Sequence, residues 1–214
     1  MSEAPAGRFL MPLSEYNRIY QVAHGTIGDV GDAQRACMFF NAFGAYVLSK
    51  HYKIPARVVA GAFGLCVSDR PDVAFFGHHT DNRLSSSSDG FHMWVQTETH
   101  IVDFMAPIFP EVFGGLLPDR QLPRKMLQRL IATEAAGASS LVATGDFVTF
   151  PDPDLTDQLV DNFFKRPANG DLMMVAEAWF GSRRAKQKRS FSMQNDLGEV
   201  YELALPATVA TGAW

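Results

Sequence analysis

The sequence predicts an α+β fold in which one apolar helix packs on an antiparallel sheet, and three observations lead to it. Residues 33–53 carry apolar side chains around most of a helical circumference, as a central buried helix does. Residues 57–67 are β-branched and apolar, which favours a buried strand. Residues 91–96 and 101–105 resemble the two strands of a hairpin.

The first third of the chain has clear helix signals. Ser14 is placed to cap a short helix over residues 14–22, which we expect to stop near Gly25. A turn-rich break at 28–32 precedes the central helix, and Ile54-Pro55 ends it. Residues 68–90 combine a proline, adjacent histidines and four serines. They predict a long, mobile loop that borders any site formed by the strand after it.

The second half of the chain is predicted from weaker patterns. We expect a helix over 120–136, delayed at its start by Pro123, and a strand over 146–150. Two helices and a terminal strand pair follow; their predicted ranges are 156–165, 172–180, 191–193 and 200–203.

Length and composition indicate one globular domain, residues 1–214, with a core at about 33–107. The net charge of -4 provides no broad positive field, so neither nucleic acid nor an anionic membrane is an expected partner. No signal-peptide pattern opens the chain and no apolar stretch has bilayer length, which makes the cytoplasm the expected compartment. No cofactor is expected, and the oligomeric state stays open.

The two cysteines, Cys37 and Cys66, are each either core residues or reactive thiols. A structural disulfide is not expected in a cytoplasmic chain of this size, and the absence of a CxxC pattern sets aside a cysteine-built zinc site. Cys66 lies on an apolar strand and is expected to fill the core.

Two other polar clusters have simple interpretations. His78, His79 and Asp81 carry metal-ligand side chains, but adjacent histidines on a strand point apart, so no metal site is expected. The basic run at 183–189 is interpreted as a solvated surface in an acidic protein.

Cys37, His92 and Asp103 form the candidate catalytic constellation. A cysteine attacks a carbonyl as a thiolate, which a helix N-terminus and a histidine stabilise, and Cys37 lies early in the central helix. His92 and Trp94 share one face of their predicted strand. If the hairpin loop has an even number of residues, Asp103 lies on that face within roughly 4.5–8 Å of His92. An odd loop would separate the two.

The sequence around these residues resembles the transglutaminase-like core. Cys37 with the four residues after it, the segment Ile54-Pro55-Ala56-Arg57-Val58-Val59-Ala60-Gly61, the run from His92 to Val95 and the run from Asp103 to Pro107 are similar to its motifs in the same order. The resemblance covers residues 33–107. It implies a papain/transglutaminase-like fold with Cys37 as nucleophile, His92 as general base and acid, and Asp103 as the orienting carboxylate.

The reaction expected from this resemblance is acyl transfer on a peptide or small-molecule substrate. Hydrolysis of a peptide, isopeptide or amide bond comes first; transamidation, acetyl transfer and a catalytically inactive binding domain are the alternatives. Gln34 and the Cys37 amide are candidate oxyanion donors. Trp94 is a candidate substrate-binding residue that would shield the Cys37–His92 pair from water.

Overall fold

A computed structural model describes residues 8–28, 36–68, 72–80, 83–114 and 121–214. In these ranges the protein has an antiparallel sheet packed against helices, which confirms the predicted α+β class. The α-helices are α1 (Leu13–Ile27), α2 (Cys37–Val47), α3 (Phe109–Gly114), α4 (Pro153–Phe164) and α5 (Pro167–Phe180). The strands are β1 (Arg57–Cys66), β2 (Val73–Phe76), β3 (His78–Thr80), β4 (Arg83–Ser85), β5 (His92–Gln96), β6 (His100–Asp103), β7 (Leu127–Leu130), β8 (Phe147–Pro151), β9 (Ser190–Gln194) and β10 (Val200–Ala204).

Helix α1 is longer than predicted and uses no side-chain cap at its start. It runs through Gly25 and ends at Gly28. A Cβ on Gly25 would lie 2.6 Å from the Trp179 ring, so this glycine permits close packing and does not end the helix.

Helix α2 begins at Cys37 in the described part of the chain, and residues 29–35 lie outside it. The helix continues as one π-helical turn, Leu48–Tyr52, and ends at Lys53, whose φ of 59° is left-handed. The predicted end near Lys53 is therefore correct, although a left-handed residue ends the helix before Ile54-Pro55 is reached.

Strand β1 is the common partner of three other strands. It pairs with β5 over residues 57–61, with β8 over 61–65 and with β2 over 63–66, and every pairing is antiparallel. Strands β6 and β7 extend the sheet beyond β5. Gly61 lies opposite both His92 and Pro151, and a Cβ there would come within 2.1 Å of the Phe150 carbonyl oxygen. Only glycine fits this crossing.

The prediction of a loop over 68–90 is wrong in part, because the segment contains three short strands. β2 pairs with β1, while β3 and β4 form a small separate hairpin. The run Val73–Phe76 supplies the apolar side chains that a sheet edge strand needs. The serines and histidines that suggested a loop lie beyond it, and residues 69–71 and 81–82 lie outside the described part.

The predicted helix over 120–136 is wrong. Residues 127–130 form β7 along β6, and Ile131–Thr133 make a single 3₁₀ turn. Leu122, Met126 and Leu130 do have helical spacing. A helix here would leave the backbone groups along one edge of β6 unpaired, whereas the strand β7 satisfies them. The buried Gln128 side chain is bonded to the Met11 backbone, which holds this strand in place.

The remaining elements match their predicted types. β8, α4 and α5 fall at the expected places, and β9 and β10 form a two-stranded hairpin with a turn at residues 195–198. The basic run at 183–189 is largely exposed, as expected. Among the residues described, no helix is long and apolar enough to cross a bilayer.

Candidate active site

Cys37 is the first residue of α2, and the residue is 8% exposed. The first hydrogen bond of the helix runs from the Phe40 amide to the Ala36 carbonyl. The amide of Cys37 therefore belongs to the first turn, whose N–H groups have no acceptor within the helix. The positive end of the helix dipole lies at the same place and favours a negative charge on the sulfur.

The hairpin of β5 and β6 places His92 and Asp103 on one face. Gln96 pairs with Ile101, which leaves a loop of four residues, an even number. His92 Nε2 donates to Asp103 Oδ2 over 2.8 Å, and the two side chains are 1% and 0% exposed. The hairpin loop thus has the even length that places His92 and Asp103 on the same face, as the alternation of side chains along the strands predicted.

The pKa of His92 reflects competition between burial and its charged neighbours. Burial alone lowers it, but attraction and hydrogen bonding to Asp103, together with a hydrogen bond to Cys37, raise the pKa to about 9. Because Nε2 is bonded to Asp103, Nδ1 is the ring nitrogen left for the Cys37 thiol. The structure therefore brings Cys37, His92 and Asp103 together.

Asp103 is held at each of its oxygens. Oδ1 accepts from Asn41 Nδ2 and from the Met105 amide, both at 2.9 Å, while Oδ2 faces His92. The Tyr16 hydroxyl donates to the Asp103 backbone carbonyl. Burial and the nearby Asp103 charge raise the pKa of Tyr16 well above its ordinary value, so Tyr16 is a neutral donor.

Aromatic rings enclose the imidazole. Phe76 stacks on His92 with ring centroids 4.1 Å apart, and Phe63 and Phe109 lie at 5.5 and 5.9 Å. These rings come from β2, β1 and α3, so the segment 68–90 does border the site through Phe76. In the described ranges, Cys37 and Asp103 are the titratable groups that act on His92. The apolar enclosure strengthens their electrostatic interactions by excluding water.

The two remaining candidates have different outcomes. Trp94 is fully buried. The Phe63 ring contacts the rings of Trp94 and His92, with centroid distances of 5.9 and 5.5 Å, as expected if Trp94 and His92 lie on one face of the strand. The indole Nε1 of Trp94 has no hydrogen-bond partner in the described part of the chain. Gln34 lies outside the described residues, so its role as an oxyanion donor stays a prediction.

Sequence reasoning missed Asn41 and Phe76. Asn41 follows Cys37 by four residues, the spacing that puts two side chains on one helix face, and this spacing was the available signal. Phe76 lies in the apolar run of β2, which the loop prediction concealed.

The other sequence candidates make their contacts outside the group of Cys37, His92 and Asp103, which is called the triad below. The Cys66 thiol is completely buried and points to the Ser68 carbonyl at 3.2 Å. His78 contacts Ser87, whereas His79 stacks on Phe75, so the adjacent histidines point apart as expected. Asp81 is outside the described residues, and the ranges that are described contain no cluster of three or more metal-binding side chains.

An apolar groove of about 700 Å³ lies between α2, the β1–β5 pair and α4. Met38 and Met93, each one residue after a triad member, form part of its wall, and Arg57 and Asp157 are charged groups in its lining. Its volume is in the range of sites that hold small molecules.

Comparisons with known proteins place the whole fold in one family. The family model described as "Protein of unknown function (DUF2026)" matches residues 12–214. A solved structure described as "The crystal structure of genomics APC5867" superposes with a TM-score of 0.84 at 29% identity, over 99% of this chain and 100% of that one. A comparison with curated proteins finds no match. Because the family match extends from α1 to beyond β10 and includes the triad, the chain belongs to the DUF2026 family.

Proposed function

We propose that this protein is a cysteine enzyme of the transglutaminase and papain type, which transfers acyl groups through Cys37, His92 and Asp103. One observation carries the proposal: a buried imidazole is bonded through Nε2 to Asp103, and its pKa is also raised by hydrogen bonding to a thiol at a helix N-terminus. The order of the elements, cysteine on α2 and then histidine and aspartate on adjacent strands, supports the papain/transglutaminase-like fold assignment.

In the first half of the reaction, the Cys37 thiolate attacks the carbonyl carbon and forms a carbon–sulfur bond. His92 then gives its proton to the departing amine or alcohol as the bond to carbon breaks. Asp103 keeps the imidazole oriented and stabilises its charged form throughout. The product of this half is a thioester on Cys37.

In the second half, His92 takes a proton from water or an amine, which attacks the thioester and restores the thiol. Attack by water is hydrolysis, our first proposal for a peptide, isopeptide or amide substrate. Attack by an amine is transamidation or acetyl transfer. During both halves the amide of Cys37, in the first turn of α2, is our candidate donor to the developing oxyanion.

A catalytically inactive binding domain of the same fold is the second candidate, and one observation favours it. His92 is 1% exposed and Phe76 covers its ring, so the imidazole is closed to substrate in this conformation. Access of a substrate to the imidazole would therefore require the Phe76 side chain to move. The apolar groove beside Met38 and Met93 would serve either function.

Differential alkylation of the two thiols tests the proposal. At pH 6 we expect iodoacetamide to label Cys37 at least about tenfold faster than Cys66, because the neighbouring imidazolium and helix dipole favour the thiolate. Cys66 is an internal control, and peptide mass spectrometry reads out both sites. The variant His92→Gln should remove most of the difference.

An acyl-donor experiment separates the enzyme from the binding domain. Incubation with an activated ester such as p-nitrophenyl acetate should add one acetyl group to Cys37, detectable by intact mass and absent in Cys37→Ala. Preferential labelling of Cys66, or no acyl adduct on an alkylation-competent Cys37, would refute the enzyme.

A further inference from the structure

Asn41 is a completely buried amide whose polar atoms are all bonded. Its Nδ2 lies 2.6 Å from the Met93 carbonyl, 2.9 Å from Asp103 Oδ1 and 3.1 Å from the Cys37 carbonyl. Its Oδ1 accepts from the Phe104 amide at 3.0 Å. A buried amide left without such partners would be costly, so this side chain has one well-defined orientation.

The partners of Asn41 belong to the three elements that carry the triad. Cys37 is on the same helix, Met93 follows His92 on β5, and Asp103 ends β6. One side chain thus links the nucleophile's helix to both strands of the hairpin. Gly44, one turn further along α2, lets the helix approach closely enough, because a Cβ there would overlap the Phe104 ring at 2.0 Å.

The contact with Asp103 has a directional consequence. With Asn41 Nδ2 and the Met105 amide on Oδ1, the carboxylate presents Oδ2 to His92 Nε2. The imidazole then has Nδ1 left for Cys37. Without the Asn41 donor, Oδ1 has one donor, the amide of Met105, and the orientation of the carboxylate about its Cβ–Cγ bond is fixed less firmly.

We propose that Asn41 is a positioning residue that orients Asp103 and, through it, fixes which nitrogen of His92 faces Cys37. The proposal rests on the function proposed above, since it assigns Asn41 a task within that site. Asn41 itself does not reach the reacting atoms; it acts through Asp103.

The simpler alternative is that Asn41 only joins α2 to the sheet. Gln128 provides the matched control because it is another fully buried amide, bonded to the Met11 backbone and to Met126 Sδ and to no triad side chain. Asn41→Ala and Gln128→Ala should both lose stability. They should differ in what happens at His92.

The measurement is an NMR titration of His92, assigned by comparison with His92→Gln. In the intact protein the pKa is about 9. In Asn41→Ala, loss of the oriented carboxylate should lower it by about one pH unit or more, whereas Gln128→Ala should leave it unchanged. Asn41→Ser keeps one hydroxyl donor and should give a smaller shift of the same sign, which provides a readout if the alanine variant does not fold.

The outcomes are distinct. An unchanged or raised pKa in the folded Asn41 variants overturns the proposal, because the carboxylate would then be held without Asn41. An equal fall in Gln128→Ala overturns it too, since general loosening would suffice. If the pKa falls only in the Asn41 variants but Cys37 takes up no acyl group in the intact protein, the positioning role stands and the acyl-transfer function fails.

Discussion

The His92–Asp103 pair should make stability depend on pH, and the variant Asp103→Asn tests this. The pKa of His92 is about 9 in the folded protein, compared with 6.5 for an unperturbed histidine. At about 1.4 kcal/mol for each pH unit, the folded state holds the proton on His92 more tightly by about 3 kcal/mol.

The sign follows from the raised pKa. The stabilisation of the folded state by the His92–Asp103 pair is fully present below pH 6.5, where His92 is charged in both the folded and the unfolded protein. It is lost as the pH rises through about 9. The free energy of unfolding should therefore decrease by up to about 3 kcal/mol across this window. Asp103→Asn removes the carboxylate charge, so its profile should be lower and nearly flat over the same range.

Urea unfolding at half-unit pH intervals from 6 to 10 gives both profiles. Since the other five histidines are common to both proteins, the difference between the profiles isolates the pair. Burial lowers the pKa of His24 and His51, so their own contributions fall below the window. Parallel profiles for the two proteins would refute the assignment of the raised pKa to Asp103.

Two further predictions concern the closure of the site. Phe76→Ala should uncover the face of the His92 imidazole ring and accelerate alkylation of Cys37 by an uncharged reagent. Phe75→Ala is the control, because Phe75 stacks on His79. Equal alkylation rates in the intact protein and in Phe76→Ala would show that Phe76 does not limit access. The described parts of the segment 68–90 should exchange amide hydrogens faster in β3 and β4 than in β5, because the β3–β4 hairpin is separate from the main sheet; uniformly slow exchange measured by mass spectrometry would contradict this mobility.

The hairpin and its His92–Asp103 contact follow from sequence because strand alternation is strict and the loop between Gln96 and Ile101 is short. Both residues lie within one local unit, so no distant contact is needed to predict their common face. Cys37 was assigned correctly to the early part of a helix for a similar reason: the apolar pattern that follows it is continuous, although the helix was predicted from residue 33 and Ala36 precedes its observed start.

The missed features depend on distant parts of the chain. Residues 127–130 have the apolar spacing of a helix, but their structure is decided by the open edge of β6. Asn41 could not be distinguished from a solvated asparagine, because its four partners come from α2, β5 and the end of β6. Phe76 lies next to His92 only because β2 and β5 both pair with β1.

The hairpin also has a consequence for how the site assembles during folding. His92 and Asp103 are 11 residues apart, so closing their contact restricts little chain entropy, and we expect the hairpin to form among the early events. Cys37 must arrive with α2 across more than fifty residues of chain, a far less local contact. This order of assembly would keep Cys37 away from His92 until the helix docks on the sheet. A nascent chain that has not finished folding would then carry Cys37 without its contact to His92.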